Sequence, residues 1–157
     1  MKKIIVAALA FLIGSNGFSS TLANNKKDVE IWYDSFNAKN VELLKSVLDE
    51  KWIESPTEDG VRPADREAVL KMLVKLTSTF PDFKIVIEDI IAEGDKVVVR
   101  STITGTQVSE FHGFPSKNRK IRIQAIDIHE FKNRKIIHTW HSEDWMTGLK
   151  QLGVFEK

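Results

Sequence analysis

The segment from Ile121 to Phe131 carries a carboxylate and an imidazole where a strand pattern calls for apolar side chains. Successive residues of a strand point to opposite faces. Ile121, Ile123, Ala125, Asp127, His129 and Phe131 therefore share one face, and Arg122, Gln124, Ile126, Ile128 and Glu130 share the other. The first face is the more apolar and is expected to point inward. Burial disfavours an ionised carboxylate and raises its pKa, which makes Asp127 a candidate general base or acid. The same position also suits an Asp hydrogen-bonded to a neighbouring side chain, and the residues alone do not separate the two. His129 reads as a partner rather than a catalyst.

The strand before it supplies a second interior polar group. Val97, Val99, Ser101, Ile103, Gly105 and Gln107 line one face, and Val98, Arg100, Thr102, Thr104 and Thr106 the other. On an unbulged strand Gln107 faces the same interior as Asp127. Arg100 faces solvent or a partner subunit, and the threonine-rich outer side suits either role, solvent exposure or a homodimer contact. His138 and His141 lie three apart on a strand and so point to opposite faces, which argues against a shared metal ion. No phosphate-binding glycine loop, nucleophile elbow or dinucleotide fingerprint occurs. Trp32, Trp52, Trp140 and Trp145 read as core or cavity lining, since stacking on nucleic acid would want basic neighbours.

Several elements must position these groups. Val29, Trp32, Tyr33 and Phe36 recur at helical spacing and predict an amphipathic helix over 28–37. Asn40 is a suitable N-cap for a second helix over 41–48. Residues 51–54 form a short strand ending before Pro56, and 57–60 a loop. Pro63 opens a longer helix whose stripe is Val69, Met72, Leu73, Leu76 and Phe80, stopped by Pro81. Strands follow from Phe83, with Ile85, Ile87, Asp89 and Ile91 on one side, then over 96–107, 120–131 and 135–143. Turns at 93–96 and at Asn133-Arg134 join them. A short helix around Leu149 and Leu152 closes the chain. Helices first and an antiparallel sheet afterwards make an α+β domain.

The chain has 157 residues, 23 Lys and Arg against 22 Asp and Glu, and no cysteine. Near-neutral charge argues against a dedicated nucleic-acid binder. The lack of cysteine removes disulfides, thiolate metal sites and a cysteine nucleophile. Met1-Lys2-Lys3, an apolar run from Ile4 to Ile13 and a polar stretch ending Thr21-Leu22-Ala23 have the layout of a secretory signal peptide. The run is shorter than the roughly 20 residues a membrane span needs. Removing residues 1–23 leaves 134 residues with a net charge of −1, expected to be periplasmic or secreted and without stable membrane insertion.

Several segments, in order, resemble those of SnoaL-like polyketide or ester cyclases. They are Trp32–Asn37, Phe80-Pro81-Asp82, Ile90–Arg100, Gly105-Thr106-Gln107, Glu110-Phe111, Ala125-Ile126-Asp127-Ile128, Trp140–Asp144 and Gln151-Leu152-Gly153. The resemblance spans nearly all of 24–157. It implies a nuclear transport factor 2-like cone, with N-terminal helices packed in a curved antiparallel sheet around an internal pocket. It also implies cofactor-independent ring closure by intramolecular aldol condensation, with the Asp127 position as acid/base. The family commonly has Gly-Thr-His where this chain has Gly-Thr-Gln. Gln107 can donate a hydrogen bond to an enolate oxygen but cannot exchange protons near neutral pH. The usual glycine after the turn proline is also absent at Pro115-Ser116-Lys117.

The expectation is a protein that takes a small hydrophobic carbonyl compound, with Asp127 moving a proton and Gln107 holding the oxyanion. His141, Asp144, Trp140 and Tyr33 would contact the substrate. An exported small-molecule binder with the same pocket and no turnover is the alternative. An isomerase or epoxide hydrolase on this scaffold would need a second acidic group near the first or an Asp-Arg-Asp set, and on an unbulged strand Arg100 points the wrong way for that set.

Overall fold

A computed structural model describes residues 15–56 and 63–156, with side chains from residue 21 onward. The expected apolar run of the signal peptide and the loop at 57–60 lie outside the described residues.

Val29, Trp32, Tyr33 and Phe36, all buried, form the stripe of α1 (Ser15–Asn37), which is longer than the predicted 28–37 and continues through Ala23. Two polar clamps seat it. Arg134 in the last hairpin turn grips the Asp28 carboxylate through two nitrogens, at 2.7 and 2.9 Å. At the other end the Asn37 amide donates to the Ile85 carbonyl (2.9 Å) and accepts from the Ile85 N–H (2.8 Å). Asn40 caps α2 (Val41–Val47) by accepting from the Leu43 N–H.

β1 (Leu48–Ser55) and a two-residue β2 (Ala64–Asp65) follow. α3 (Arg66–Thr79) begins three residues after Pro63 and is capped by Asp65. Its buried stripe runs through Leu70 rather than Met72, which is 36% exposed. β3 (Lys84–Glu93), β4 (Lys96–Thr106), β5 (Lys120–Lys132) and β6 (Lys135–Glu143) precede α4 (Trp145–Gln151).

The six strands form one unclosed sheet in the order β2-β1-β6-β5-β4-β3. All neighbours are antiparallel except β1 and β6, which run parallel. The Asn133-Arg134 turn has positive φ at both residues, the geometry that matches strand twist in a two-residue hairpin. The inner faces expected for β4 and β5 are buried as read from the alternation. On β3 the expected face fails beyond Ile87. A bulge at Glu88 inserts one residue, so Ile90 and Ala92 pair opposite the inward Val99 and Val97, and Ile91 turns outward, 64% exposed. Asp89 is carried outward too, where it meets Arg100 at 2.6–2.7 Å. No described helix is long and apolar enough to cross a membrane.

Candidate active site

Asp127 lies midway along β5 on the inner face and is 7% exposed. The buried Tyr33 hydroxyl, delivered by α1, donates to Asp127 Oδ2 at 2.7 Å. The Tyr33 hydroxyl oxygen is also 3.0 Å from His129 Nε2, and His129 Nδ1 is 3.0 Å from Thr139 Oγ1. Thr139 Oγ1 in turn accepts from the Trp52 indole N–H at 3.0 Å.

The direction of this chain follows from its ends. The Tyr33 proton is committed to the carboxylate, so Tyr33 accepts from His129 Nε2–H. Complete burial, with some repulsion from His141, pushes the His129 pKa down to about 3, so its ring is neutral. Nδ1 is then bare and accepts from the Thr139 hydroxyl, which accepts from Trp52, a pure donor. Every proton from Trp52 through Tyr33 points toward Asp127, and such chains polarise their members cooperatively. Burial and the neighbouring Asp127 carboxylate raise the Tyr33 pKa well above its ordinary value, so it remains a donor.

Asp127 Oδ1 has no hydrogen-bond partner among the described residues. Desolvation outweighs the Tyr33 hydrogen bond and, with repulsion from Glu143 and Glu54, pushes the Asp127 pKa up to about 7; His141 opposes this. Asp127 thus has one oxygen held and one oxygen without a partner among the described residues.

His141 is the register partner of Asp127 on β6 and shares its face. Its Nδ1 stands 2.8 Å from Glu54 Oε1, an oxygen with no other partner among the described residues. The Glu54 contact raises the His141 pKa to about 9 despite partial burial, which makes it an imidazolium at neutral pH. Glu143, two residues further along β6, accepts from the Trp145 indole at 2.5 Å. Ile87, Ile90, His141, Glu143 and Trp145 are all partly exposed, so this part of the sheet is less thoroughly covered than the core around His129.

Of the six residues singled out in the sequence, Asp127, Tyr33 and His141 come together. The other three do not join them. Gln107 is buried, but both amide protons are committed, to the Ser109 carbonyl at 2.8 Å and the Phe114 carbonyl at 3.0 Å. It also lies eight residues along β4 from Val99, the register partner of Asp127. That offset is about 26 Å along the strand path. The geometry makes Gln107 the organiser of the 107–119 loop and does not fit an oxyanion donor. Asp144 is an exposed N-cap that accepts from the Thr147 N–H at 3.0 Å. Trp140 alternates to the outer face and stacks on His138, with ring centroids 3.7 Å apart.

Glu54 and Glu143 were not singled out from the sequence. Alternation in Lys51-Trp52-Ile53-Glu54 puts Glu54 beside Trp52, but only the parallel β1–β6 pairing brings it to His141. His138 faces away and contacts Ser55, so the two histidines do not converge. Among the described residues no group of three His, Asp or Glu side chains is arranged to hold a metal ion. Two surface depressions of about 370 and 410 Å³ lie elsewhere, around Lys120 and Arg122 and between α2 and α3, and neither includes Asp127.

Solved structures share this architecture. TsrD from Streptomyces laurentii is 24% identical, with a TM-score of 0.76 over 83% of this chain and 96% of its own. IdmH from Streptomyces antibioticus, provisionally assigned as a polyketide cyclase, is 26% identical, with a TM-score of 0.73 over 82% of this chain and 98% of its own. AclR from Streptomyces galilaeus, provisionally assigned as a hydroxylase, is 20% identical, with a TM-score of 0.76 over 85% of this chain and 98% of its own. No curated protein matches the sequence. The sequence model of the SnoaL-like polyketide cyclases matches residues 27–152, from α1 through the end of α4, and the chain belongs to that family.

Proposed function

We propose that this protein performs cofactor-independent acid/base chemistry on a small hydrophobic carbonyl compound, with Asp127 as the proton-transfer group. One observation carries the reading. Asp127 is a buried carboxyl with Oδ2 fixed by Tyr33 and Oδ1 unoccupied by any described side chain. Such a group is held in one orientation and is poised near neutral pH, which suits general acid/base work. Oδ1 would take a proton from the carbon next to the carbonyl as the C–H electron pair shifts to form an enolate. The proton would return from Oδ1 to the product.

Charge must be met where it develops, on the carbonyl oxygen. His141 supports that step better than Gln107. Its Nδ1 is tied to Glu54, and an imidazolium Nε2–H remains to donate. Neighbouring Glu54 and Glu143 disfavour an anionic substrate and favour a neutral one.

A binder without turnover is the second reading. It is favoured by the commitment of the Gln107 amide to the loop, which leaves no proton-exchanging group at that family position. Comparing Asp127→Asn with the wild type against a panel of hydrophobic ketones and esters separates the two. Catalysis predicts turnover that falls at least about 100-fold in the variant while ligand still binds. Binding without turnover in both proteins favours the binder.

Export after removal of residues 1–23 is also part of the proposal, and the family match begins beyond that point. Self-association through the outer sheet face is supported by one register row, Ile91, Val98, Ile128 and Trp140. Arg100 and Asp89 flank the row on one side and Lys96 and Glu130 on the other, a mixture of charges that suits a self-complementary contact.

A further inference from the structure

Ser101 is a polar group of the inner face with no assigned task. It stands on β4 where the alternation otherwise places Val97, Val99 and Ile103, and it is fully buried. Its Oγ has no hydrogen-bond partner among the described residues. Its register neighbours, Ile87 on β3 and Ala125 on β5, offer no polar side-chain atom. An aliphatic residue would cost nothing in polar burial at this position, whereas an unsatisfied buried hydroxyl is destabilising. The hydroxyl is therefore a donor without a recipient among the described residues.

Its placement supplies the recipient. Ser101 pairs with Ala125 and Val99 pairs with Asp127, so Ser101 and Asp127 are diagonal neighbours on one face. Diagonal positions lie about 7–8 Å apart at the backbone. Two side chains reaching inward across that span can touch adjacent atoms of one ligand. On the far side of β5, His141 pairs with Asp127 and Glu143 pairs with Ala125. Ala125, the smallest side chain of the row, lies between Ser101 and Glu143. Partly exposed Ile87, the neighbour of Ser101, lies toward the less covered margin of the inner face.

We propose that Ser101 is a ligand-holding residue whose hydroxyl donates to the oxygen of an enolisable ketone or ester, while Asp127 Oδ1 faces the adjacent carbon. Ala125 is 2% exposed and Ser101 is covered, so the ligand enters from the Ile87 margin by displacing the side chains over Ala125. Ser101 and His141 then approach its oxygen from the two flanking strands. The inference rests on the acid/base reading of Asp127 and adds the substrate oxygen's position to it.

The test uses 2-naphthol, whose hydroxyl on a flat apolar ring mimics an enol, and naphthalene, which lacks the hydroxyl. Binding to the wild-type chain, Ser101→Thr and Ser101→Val is followed by ligand fluorescence. Threonine and valine have nearly the same shape, so the pair isolates the hydroxyl. Ser101→Thr should bind 2-naphthol like the wild type, and Ser101→Val should bind it about five- to tenfold more weakly, the worth of one net hydrogen bond. Naphthalene should bind all three equally. Thermal melting should show Ser101→Val folded and no less stable than Ser101→Thr. Equal affinity of the two variants for 2-naphthol overturns the proposal, as does a wild-type chain that binds 2-naphthol no better than naphthalene. Asp127→Asn in the same titration separates the two claims. If it weakens 2-naphthol while the Ser101 pair stays equal, the Asp127 site stands and the Ser101 assignment falls.

Discussion

Asp127 is tuned by two opposed effects of similar kind to those that act on any buried carboxyl. Loss of water raises its pKa and the Tyr33 hydroxyl lowers it, with desolvation the larger. Removing the hydroxyl should therefore move the pKa further up, above about 7. Tyr33→Phe should shift the Asp127 midpoint upward in a carboxyl-resolved NMR titration, and with it the pH at which the base form becomes available. A midpoint that stays put or moves down would show that Tyr33 does not hold the carboxylate. This residue-scale tuning was half legible in the sequence. Alternation placed Asp127 and His129 on one face, and helical spacing placed Tyr33 on a buried stripe. That the stripe of α1 lies over that stretch of β5 depends on the Asp28–Arg134 and Asn37–Ile85 clamps, which join residues far apart in the chain.

At the scale of elements, strand alternation was reliable where strands are regular and failed at the irregularity. β4 and β5 pair without interruption over eleven positions, and their faces follow the simple period. β3 does not, because the bulge at Glu88 shifts every later residue to the opposite face. No local pattern marks the bulge, since Ile90 and Ile91 are equally apolar. Deleting Glu88 should remove the bulge and leave a continuous register, with Asp89 still opposite Arg100, Ile90 inward and Ile91 outward. The expected change in stability is within about 1 kcal/mol, measured by chemical denaturation; a loss of several kcal/mol would mean that the inward set is not kept and that Glu88 is not the inserted residue. The parallel β1–β6 pairing was equally hidden, and Glu54 reaches His141 only through it. Gln107 shows the reverse error. Its inward face was read correctly, but its amide closes the 107–119 loop, a local need that a face argument does not reveal.

Across the whole molecule, the family and the α+β architecture were legible because they rest on order and periodicity summed over many residues. The reaction was not, since relatives of one fold carry different provisional assignments. The outer face sets a separate expectation. If the Ile91–Val98–Ile128–Trp140 row joins two copies, Ile128→Glu should convert a dimer to a folded monomer in light scattering; a wild-type chain that is monomeric at high concentration would contradict the pairing. The central claim, that Asp127 moves a proton beside a carbonyl, is tested most directly by isotope exchange. Hydrophobic ketones incubated with the protein in D2O should gain deuterium at the α-carbon, with a pH midpoint near 7 set by Asp127. Asp127→Asn should slow this exchange at least about 100-fold. Equal exchange in the two proteins would contradict the claim.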